Sequence, residues 1–567
     1  MGLGPTRVST SIKTTGLRYW MLRVLHECEH VSTDFGADPV HDLRVALRRC
    51  RSMADGMMAM DPDPAWKAMK KAGRRLFRSL GELRDVQIMM EWLEKLLPAP
   101  VTPAPTLLPA IPSNGNRQTS DLNAGDLRRT DPDSKQDHIL ADPVAHTLLQ
   151  ILRHREAEQK HAARAALEEF DRKQWRHWAR VLPQRASRIR RGSAVFKHLA
   201  LERWTAAREL HHRALRSRSR IAFHALRIGI KRFRYIVENF LPAEHAAWSN
   251  DLKRMQDLLG EVHDLDVLWA TALSCHVFPD EESRRRWHAR ILEERTKRID
   301  EYRQRTIGPD LLWNIWRAGL PQGNEIQQIA TRRMKLWAKT LDPDFAHSER
   351  VARLALDLYD GLGAAGLLGP QGVTTNGNAA DARDSLYAAA LLHDVGLSKE
   401  KKGHHKKSQE LIKAHGTPLG WKTENMQRAA VVARFHCGAL PTRSHKALRD
   451  LLPDEQKLII CLAAILRLAN AFDAEHNGHV RRMRIENFPA RISRPHRPKS
   501  FLRKPAALGR NEPLVIAAEG YTPGSPTAQT IAAERYLLET VLRRPVVVKA
   551  ASGFRPPVSA ARGSSPG

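Results

Sequence analysis

The sequence predicts a mainly α protein: a duplicated helical bundle, then a second all-α domain that ends in a small α+β appendage. Three observations predict it. From about Leu17 to Leu97, and again from about Pro143 to Leu320, apolar residues recur at three- and four-residue intervals with Arg and Lys between them, the spacing of amphipathic helices. A motif from the first region recurs in the second, which marks a duplication. After His476 the pattern changes to short apolar runs, Val480 to Ile485, Leu514 to Ala518 and Val546 to Lys549, around one helical stretch from Ala528 to Arg543.

At 567 residues the chain exceeds one ordinary core and accommodates several domains. Its opening residues lack an apolar h-region, so export is not expected. The helical repeats occupy 10–320, interrupted at about 98–137 by a stretch dense in Pro, Ser, Asn, Asp and Gly that reads as a disordered insertion. Pro321, Gln322 and Gly323 mark a boundary. A second helical domain over 325–476 contains a glycine-rich loop from Gly361 to Asn378. The α+β appendage covers 477–549, and 550–567 is a Gly, Ser, Pro and Arg tail with nothing to pack. The longest clean apolar run, Leu458 to Leu466, is nine residues, whereas a spanning helix needs about 20, so no membrane partner is expected. Cys28, Cys50, Cys275, Cys437 and Cys461 are scattered without a C-x-x-C, which fits a reducing cytoplasm.

Lys and Arg number 92 against 62 Asp and Glu, a formal net charge of +30 that favours a polyanionic partner. Aromatics are only 6% of the chain, and binding of single-stranded nucleic acid usually uses rings on which bases stack. Abundant charge with few rings leans toward a ligand made of phosphate alone, and no specific nucleic acid is expected.

The repeated motif carries that charge. His41-Asp-Leu-Arg44-Val-Ala-Leu-Arg48-Arg49-Cys-Arg51 recurs as His224-Ala-Leu-Arg227-Ile-Gly-Ile-Lys231-Arg232-Phe-Arg234. Each copy is followed by a matching piece, Leu80-Gly-Glu-Leu-Arg-Asp85 and Leu259-Gly-Glu-Val-His-Asp264. At about 100° per residue, His41, Arg44, Arg48 and Arg51 share one helix face, as do His224, Arg227, Lys231 and Arg234. Leu43, Val45 and Leu47, and Leu226, Ile228 and Ile230, supply the apolar flank. A solvated helix face has no reason to be repeated in this form, so the two stripes read as an anion-binding surface, which Arg74, Arg75, Arg78, Lys253 and Arg254 would extend.

On these motifs, residues 10–320 resemble the conserved histidine α-helical domain, called CHAD. The resemblance implies two pseudo-symmetric helical units around a basic cavity that binds inorganic polyphosphate, with the eight stripe residues as its contacts. Such a chain would be cytoplasmic, and association with polyphosphate granules is part of that expectation.

In the second domain, His347, His393-Asp394, His404-His405, His436 and Asp473 concentrate nitrogen and oxygen donors suited to Mn²⁺, Fe²⁺ or Mg²⁺. Leu392-His-Asp-Val-Gly396, Gly403-His-His-Lys-Lys-Ser408 and Ala463 to Asp473 make this region similar to an HD-type phosphohydrolase, and specifically to the C-terminal half of the exopolyphosphatase and guanosine pentaphosphate phosphatase (Ppx/GppA) family. That resemblance implies His347, His393 and Asp394 as metal ligands, His405 and His436 as donors to a second metal, and the last carboxylate at Asn470. Asn470 is uncharged, and Asp473 one turn later is expected to substitute. His393, Asp394 and Arg467 are expected as catalytic, with Arg467, Lys406 or Lys407 neutralising phosphate charge. The function expected is polyphosphate capture joined to a metal-dependent, exopolyphosphatase-like hydrolysis of polyphosphate or guanosine polyphosphates. The alternative is a non-catalytic polyphosphate-binding scaffold with a degenerate HD site. No motif identifies a protein partner.

Overall fold

The computed structural model describes residues 16–33, 35–97, 142–308, 311–368, 379–486 and 512–551. The Pro-rich insertion expected at about 98–137 and most of the expected tail lie outside the described residues. The chain divides between Gln322 and Gly323 into two compact units.

In the first unit the order is α1 (Leu17–Thr33), α2 (Ala37–Met57), α3 (Pro64–Ala72), α4 (Arg74–Leu96), α5 (Pro143–Glu168), α6 (Arg172–Ala186), α7 (Ala194–Ser217), α8 (Arg220–Phe240), α9 (Pro242–Ser274), α10 (Glu281–Thr306) and α11 (Leu312–Ala318). Local chemistry sets several starts. Asp63 and Asp142 cap α3 and α5, each followed by a proline at the first helical position, and Ser219 caps α8 by accepting from the Ala222 amide. The motif helices α2 and α8 pack on each other, and so do α4 and α9, the helices that carry the Leu-Gly-Glu pieces. A shared core of Trp92, Leu93, Leu148, Leu152, Leu265, Leu268 and Trp287 joins α4, α5, α9 and α10. Between α2 and α8, Arg49 bonds Glu238 and Asn239, and the buried Asn239 amide donates to Ser52 Oγ at 2.9 Å. These polar ties hold the two motif helices in register.

The second unit runs α12 (Glu325–Leu341), α13 (Phe345–Ala364), α14 (Ala379–Leu392), a 3₁₀ turn at Val395–Ser398, α15 (His404–His415), α16 (Thr423–Arg434) and α17 (Pro453–Ala471). The apolar run of the sequence lies in α17, which is buried almost all round and forms the axis of this unit's core. A three-stranded sheet follows, with β2 (Leu514–Ala518) in the centre, antiparallel to β1 (Met483–Glu486) and parallel to β3 (Val546–Ala550). The parallel pair requires a crossover, which α18 (Pro526–Leu542) supplies while packing on α17. The fold is therefore mainly α with a small sheet near the C-terminus. Among the described residues, no helix is long and apolar enough to cross a membrane.

Candidate functional site

In the first unit, Arg44 and Arg48 of α2, Arg227 and Lys231 of α8, Asp85 of α4 and Asp264 of α9 share one electrostatic neighbourhood. The two stripes therefore meet. Among the described residues, none of the four cations forms an ion pair, and Arg48 Nε is buried without a partner. Arg44 and Arg51 lie over the Phe77 ring at 5.1 and 5.0 Å, and Arg48 lies over Tyr235 at 5.8 Å. A side chain at Gly81 would collide with the Arg44 guanidinium, so the glycine of the first Leu-Gly-Glu piece makes room for that cation, whereas its counterpart Gly260 has nothing within 4 Å.

The outer stripe positions differ. Arg51 donates to the Lys70 carbonyl at 2.6 Å, and Arg234 stands 3.7 Å from Glu238. His41 is held below its usual value by burial and by Arg84 and Arg48. His224 Nδ1 lies 3.3 Å from Nδ1 of His263, whose own ring is pushed down to about 4 by burial, Arg227 and His224. Arg75, Arg78, Lys253 and Arg254 are neutralised by Glu169, Glu82, Asp257 and Glu301, so they do not extend the uncompensated charge. The residues that single-helix reasoning overlooked are Phe77, Tyr235, Arg84 and His263. Arg84 and His263 occupy the same place in the two copies, directly before Asp85 and Asp264, and aligning the repeats identifies them.

Solvent reaches Asp85, yet protein packed around it raises its carboxyl, a combination that belongs to a concave surface. Burial, then Arg227, Arg48 and Arg44, pushes Lys231 down to about 7, while Asp85 opposes the shift. Burial likewise pushes Asp264 up to about 6, with Asp85 and Glu261 adding to it and Arg227 opposing. The signs combine. As pH rises through 6, Asp264 gains negative charge, and as it rises through 7, Lys231 loses its positive charge, so an anion held by this cluster would be held less tightly over that window. We expect a three- to tenfold loss between about pH 6 and 8, since one titrating group gives at most about tenfold per pH unit. Calorimetry in two buffers of different ionisation enthalpy checks this as proton uptake on binding, and Lys231→Arg should flatten the profile.

In the second unit, α13 presents His347, and the turn after α14 presents His393 and Asp394. That turn is fastened to α15: Ser408 Oγ donates to the His393 carbonyl and accepts from the Gly396 amide, and a side chain at Gly396 would collide with the α15 backbone. His393 Nδ1 must donate to the Ala390 carbonyl at 2.7 Å, which in the neutral ring leaves Nε2 as a lone pair, buried and without a hydrogen-bond partner, with Asp394 Oδ2 at 3.5 Å. His347 Nδ1 lies 2.8 Å from Asp473 Oδ2, and its Nε2 faces the Asn470 side-chain oxygen at 2.9 Å. Nitrogens of His347 and His393 and an oxygen of Asp394 all lie within 4.8 Å of one another.

Asp473, expected as a ligand, stands behind His347. Its carboxylate accepts from His347 Nδ1, from Arg350 Nε at 2.8 Å and from the Gly478 amide at 2.9 Å. Burial works to raise that carboxyl, but these hydrogen bonds hold it below its usual value. Asn470, by contrast, faces the ring nitrogen that points inward.

A second group adjoins Asp394. His404 Nδ1 donates to the Lys401 carbonyl at 2.9 Å and His436 Nδ1 to the Ala433 carbonyl at 2.8 Å. Their Nε2 atoms converge to 3.0 Å, with Asp394 Oδ1 at 3.4 and 3.3 Å and Cys437 Sγ 3.7 Å from His404 Nε2. Burial works to raise the Asp394 carboxyl, but His393, His404 and His436 hold it far below the usual carboxylate range. His405, expected here, is displaced by His404, because neighbouring residues of α15 project about 100° apart. Its ring centre is 5.9 Å from that of His404. Arg467 also has a different task from the one expected. It pairs with Glu534 at 2.7 and 3.1 Å and donates to the Phe435 and Gly438 carbonyls, bracing the segment that holds His436 and Cys437. Lys407 pairs with Glu410.

The set formed by His347, His393 and Asp394 fits a divalent metal. A buried imidazole nitrogen without a hydrogen-bond partner is costly unless a cation takes its lone pair, and the mixed nitrogen and oxygen donors suit Mn²⁺, Fe²⁺ or Mg²⁺. The carboxylate behind His347 and the carbonyl behind His393 orient both rings, as outer partners of metal ligands do.

Comparison with known families gives two matches. Residues 22–273 match the CHAD domain, and residues 329–501 match the Ppx/GppA phosphatase, domain III. A comparison with curated proteins returned no match.

Proposed function

We propose that this chain, which joins a CHAD domain to a Ppx/GppA phosphatase domain III, captures inorganic polyphosphate in its first unit and hydrolyses a phosphoanhydride or phosphoester in its second. The pairing of domains supports a polyphosphate-related function. The observation that carries the first half is the meeting of Arg44, Arg48, Arg227 and Lys231, four cations around the two carboxylates Asp85 and Asp264, with no close ion pair among them. Crowding four half-buried cations around only two carboxylates leaves a positive surplus, and a linear polyanion offers several negative charges at once while releasing its counterions.

In the second unit, His347, His393 and Asp394 would hold a divalent metal. When bound, such a metal polarises a phosphoryl oxygen and lowers the pKa of bound water. The chain's own part is preorganisation: Asp473 and the Ala390 carbonyl fix both ring tautomers, and Asp394 stays ionised at any physiological pH. The test is phosphate release from polyphosphate and from guanosine polyphosphates with Mn²⁺ or Mg²⁺, beside metal analysis of the purified chain. No metal and no release would sink the hydrolytic half.

Asn470 favours a second reading, a polyphosphate-binding scaffold whose HD site is too weak to work. Asn470→Asp decides how weak. Placing a carboxylate against the inward nitrogen of His347 is expected to raise Mn²⁺ affinity by about tenfold or more. Asp473→Ala is expected to lower it by about 10–100-fold, the usual cost of losing a partner behind a ligand. Calorimetric metal titration of both variants measures these effects. An unchanged affinity in Asn470→Asp would place the metal elsewhere.

A further inference from the structure

We propose that a cavity of about 790 Å³ in the first unit binds a free, single-chain anionic amphiphile, an alkyl chain that carries a carboxylate-type head, apart from the cationic stripes.

The floor of the cavity is apolar. Leu17 of α1, Met53 of α2, Phe196 of α7 and Phe240 of α8 line it and are buried, and the two phenylalanine rings stack with centres 4.2 Å apart and planes 12° from parallel. Leu22 lines the same cavity and is 49% exposed, so the apolar lining runs out to solvent. At about 100° per residue, Met53 stands on the opposite side of α2 from Arg44, and Phe240 is well round α8 from Arg227. The cavity therefore lies behind the motif helices. Its size and its mainly apolar walls are those of sites that enclose small molecules.

The rim selects the head. Four arginines, Arg18, Arg23, Arg190 and Arg191, line the cavity, and no carboxylate does. Arg23 is committed to Glu27 and Asp42, whereas Arg18 and Arg190 are exposed and have no ion pair or side-chain hydrogen bond among the described residues. The positive surplus continues outward, since from Arg172 to Leu201, through α6 and the turn after it, the sequence holds no Asp or Glu. An apolar slot beside two unpaired cations matches a ligand with an apolar body and one negative end. Polyphosphate has the charge but nothing to set against Met53 and the phenylalanines. Residues 1–15, which precede the lining residue Gly16, carry Arg7 and Lys13 and no acid, so like charge disfavours them as the occupant.

Calorimetric titration of the full-length protein with tetradecanoate, below its micellar range, tests the site. One molecule is expected to bind per chain. Affinity should fall by about tenfold for every two methylenes removed, because each buried methylene contributes alike. Tetradecyltrimethylammonium, with the same chain and the opposite charge, should bind more weakly by about tenfold or more. Ala186→Trp places an indole in the cavity from the end of α6 and should weaken tetradecanoate by about tenfold or more. Arg18→Glu/Arg190→Glu, at exposed side chains that carry no packing, should weaken it as much and abolish the preference for the anion. A diazirine-bearing tetradecanoate should label peptides spanning 17–23 and 183–196. If Ala186→Trp does not fold, the charge reversal and the labelling decide. Equal binding of the cation, labelling confined to other peptides, or binding that appears only once residues 1–15 are removed would overturn the proposal. Binding confined to vesicles of anionic phospholipid would also overturn it, since that marks a membrane-facing surface and not a cavity for a free amphiphile.

Discussion

Reversing Arg44 and Arg227 together to Glu is expected to weaken binding of long-chain polyphosphate by about 1,000-fold. A hydrogen bond to a charged group contributes about 1.5–3 kcal/mol, so two lost contacts alone amount to about 3–6 kcal/mol, and the new carboxylates add repulsion. The fold should survive, because both side chains are half-buried on the charged flank while Leu43, Leu47, Leu226 and Ile230 carry the packing. Arg44→Gln/Arg227→Gln controls for repulsion against Asp85 and Asp264 and should lose less. Binding is measured across a salt series, where the parent's affinity falls steeply as counterion release weakens and the reversed protein's falls less. A double reversal that binds within threefold of the parent, with unchanged circular dichroism, would refute the shared cationic cluster. DNA competing equally per phosphate would refute its preference for polyphosphate.

Removing Asp394 is expected to have the largest effect in the second unit. Its carboxylate faces His393 at 3.5 Å through one oxygen and both His404 and His436 through the other. Asp394→Ala therefore takes an anion from both sets. Since partners behind a ligand already cost 10–100-fold, loss of the shared ligand should cost more than about 100-fold in metal affinity and in metal-dependent phosphate release. Asp394→Asn keeps the shape and removes the charge, so it should behave nearly as badly. Retention of full metal content in Asp394→Asn would show that the carboxylate is structural. The variant also predicts a change in its neighbours. Asp394, with Cys437, pushes His404 up to about 10, and without it that ring should titrate much lower, which a histidine NMR titration of the metal-free protein reads directly.

How much of this was legible in the sequence depends on the distance over which each feature is decided. Helices, the duplication and the two cationic stripes are local: a period of 3.6 residues places His41, Arg44, Arg48 and Arg51 on one face before any packing occurs. The run from Leu458 to Leu466 is too short to span a membrane, and it lies in α17, which is buried almost all round. Short apolar runs near the end declare strands, and the sheet uses them.

Partnership is not local, and only the tertiary structure decided it. Arg234 belongs to the same stripe as Arg227, yet Glu238 stands beside it, and Arg49, outside the stripe, reaches that same carboxylate from the other repeat. Asn470 occupies the expected ligand position and Asp473 lies one turn later, but it is the distant ring of His347 that turns Nδ1 to Asp473 and Nε2 to Asn470. His404 and His405 are equivalent as text; the pitch of α15 against the turn after α14 aims the first at Asp394. Cys437 carries no motif at all and acquires meaning only where two imidazole nitrogens and a carboxylate converge beside it. Periodicity determines which face a side chain occupies, because backbone geometry repeats every few residues. Whether its charge or lone pair is left unsatisfied depends on what distant segments bring to it, and that is settled only when the helices pack.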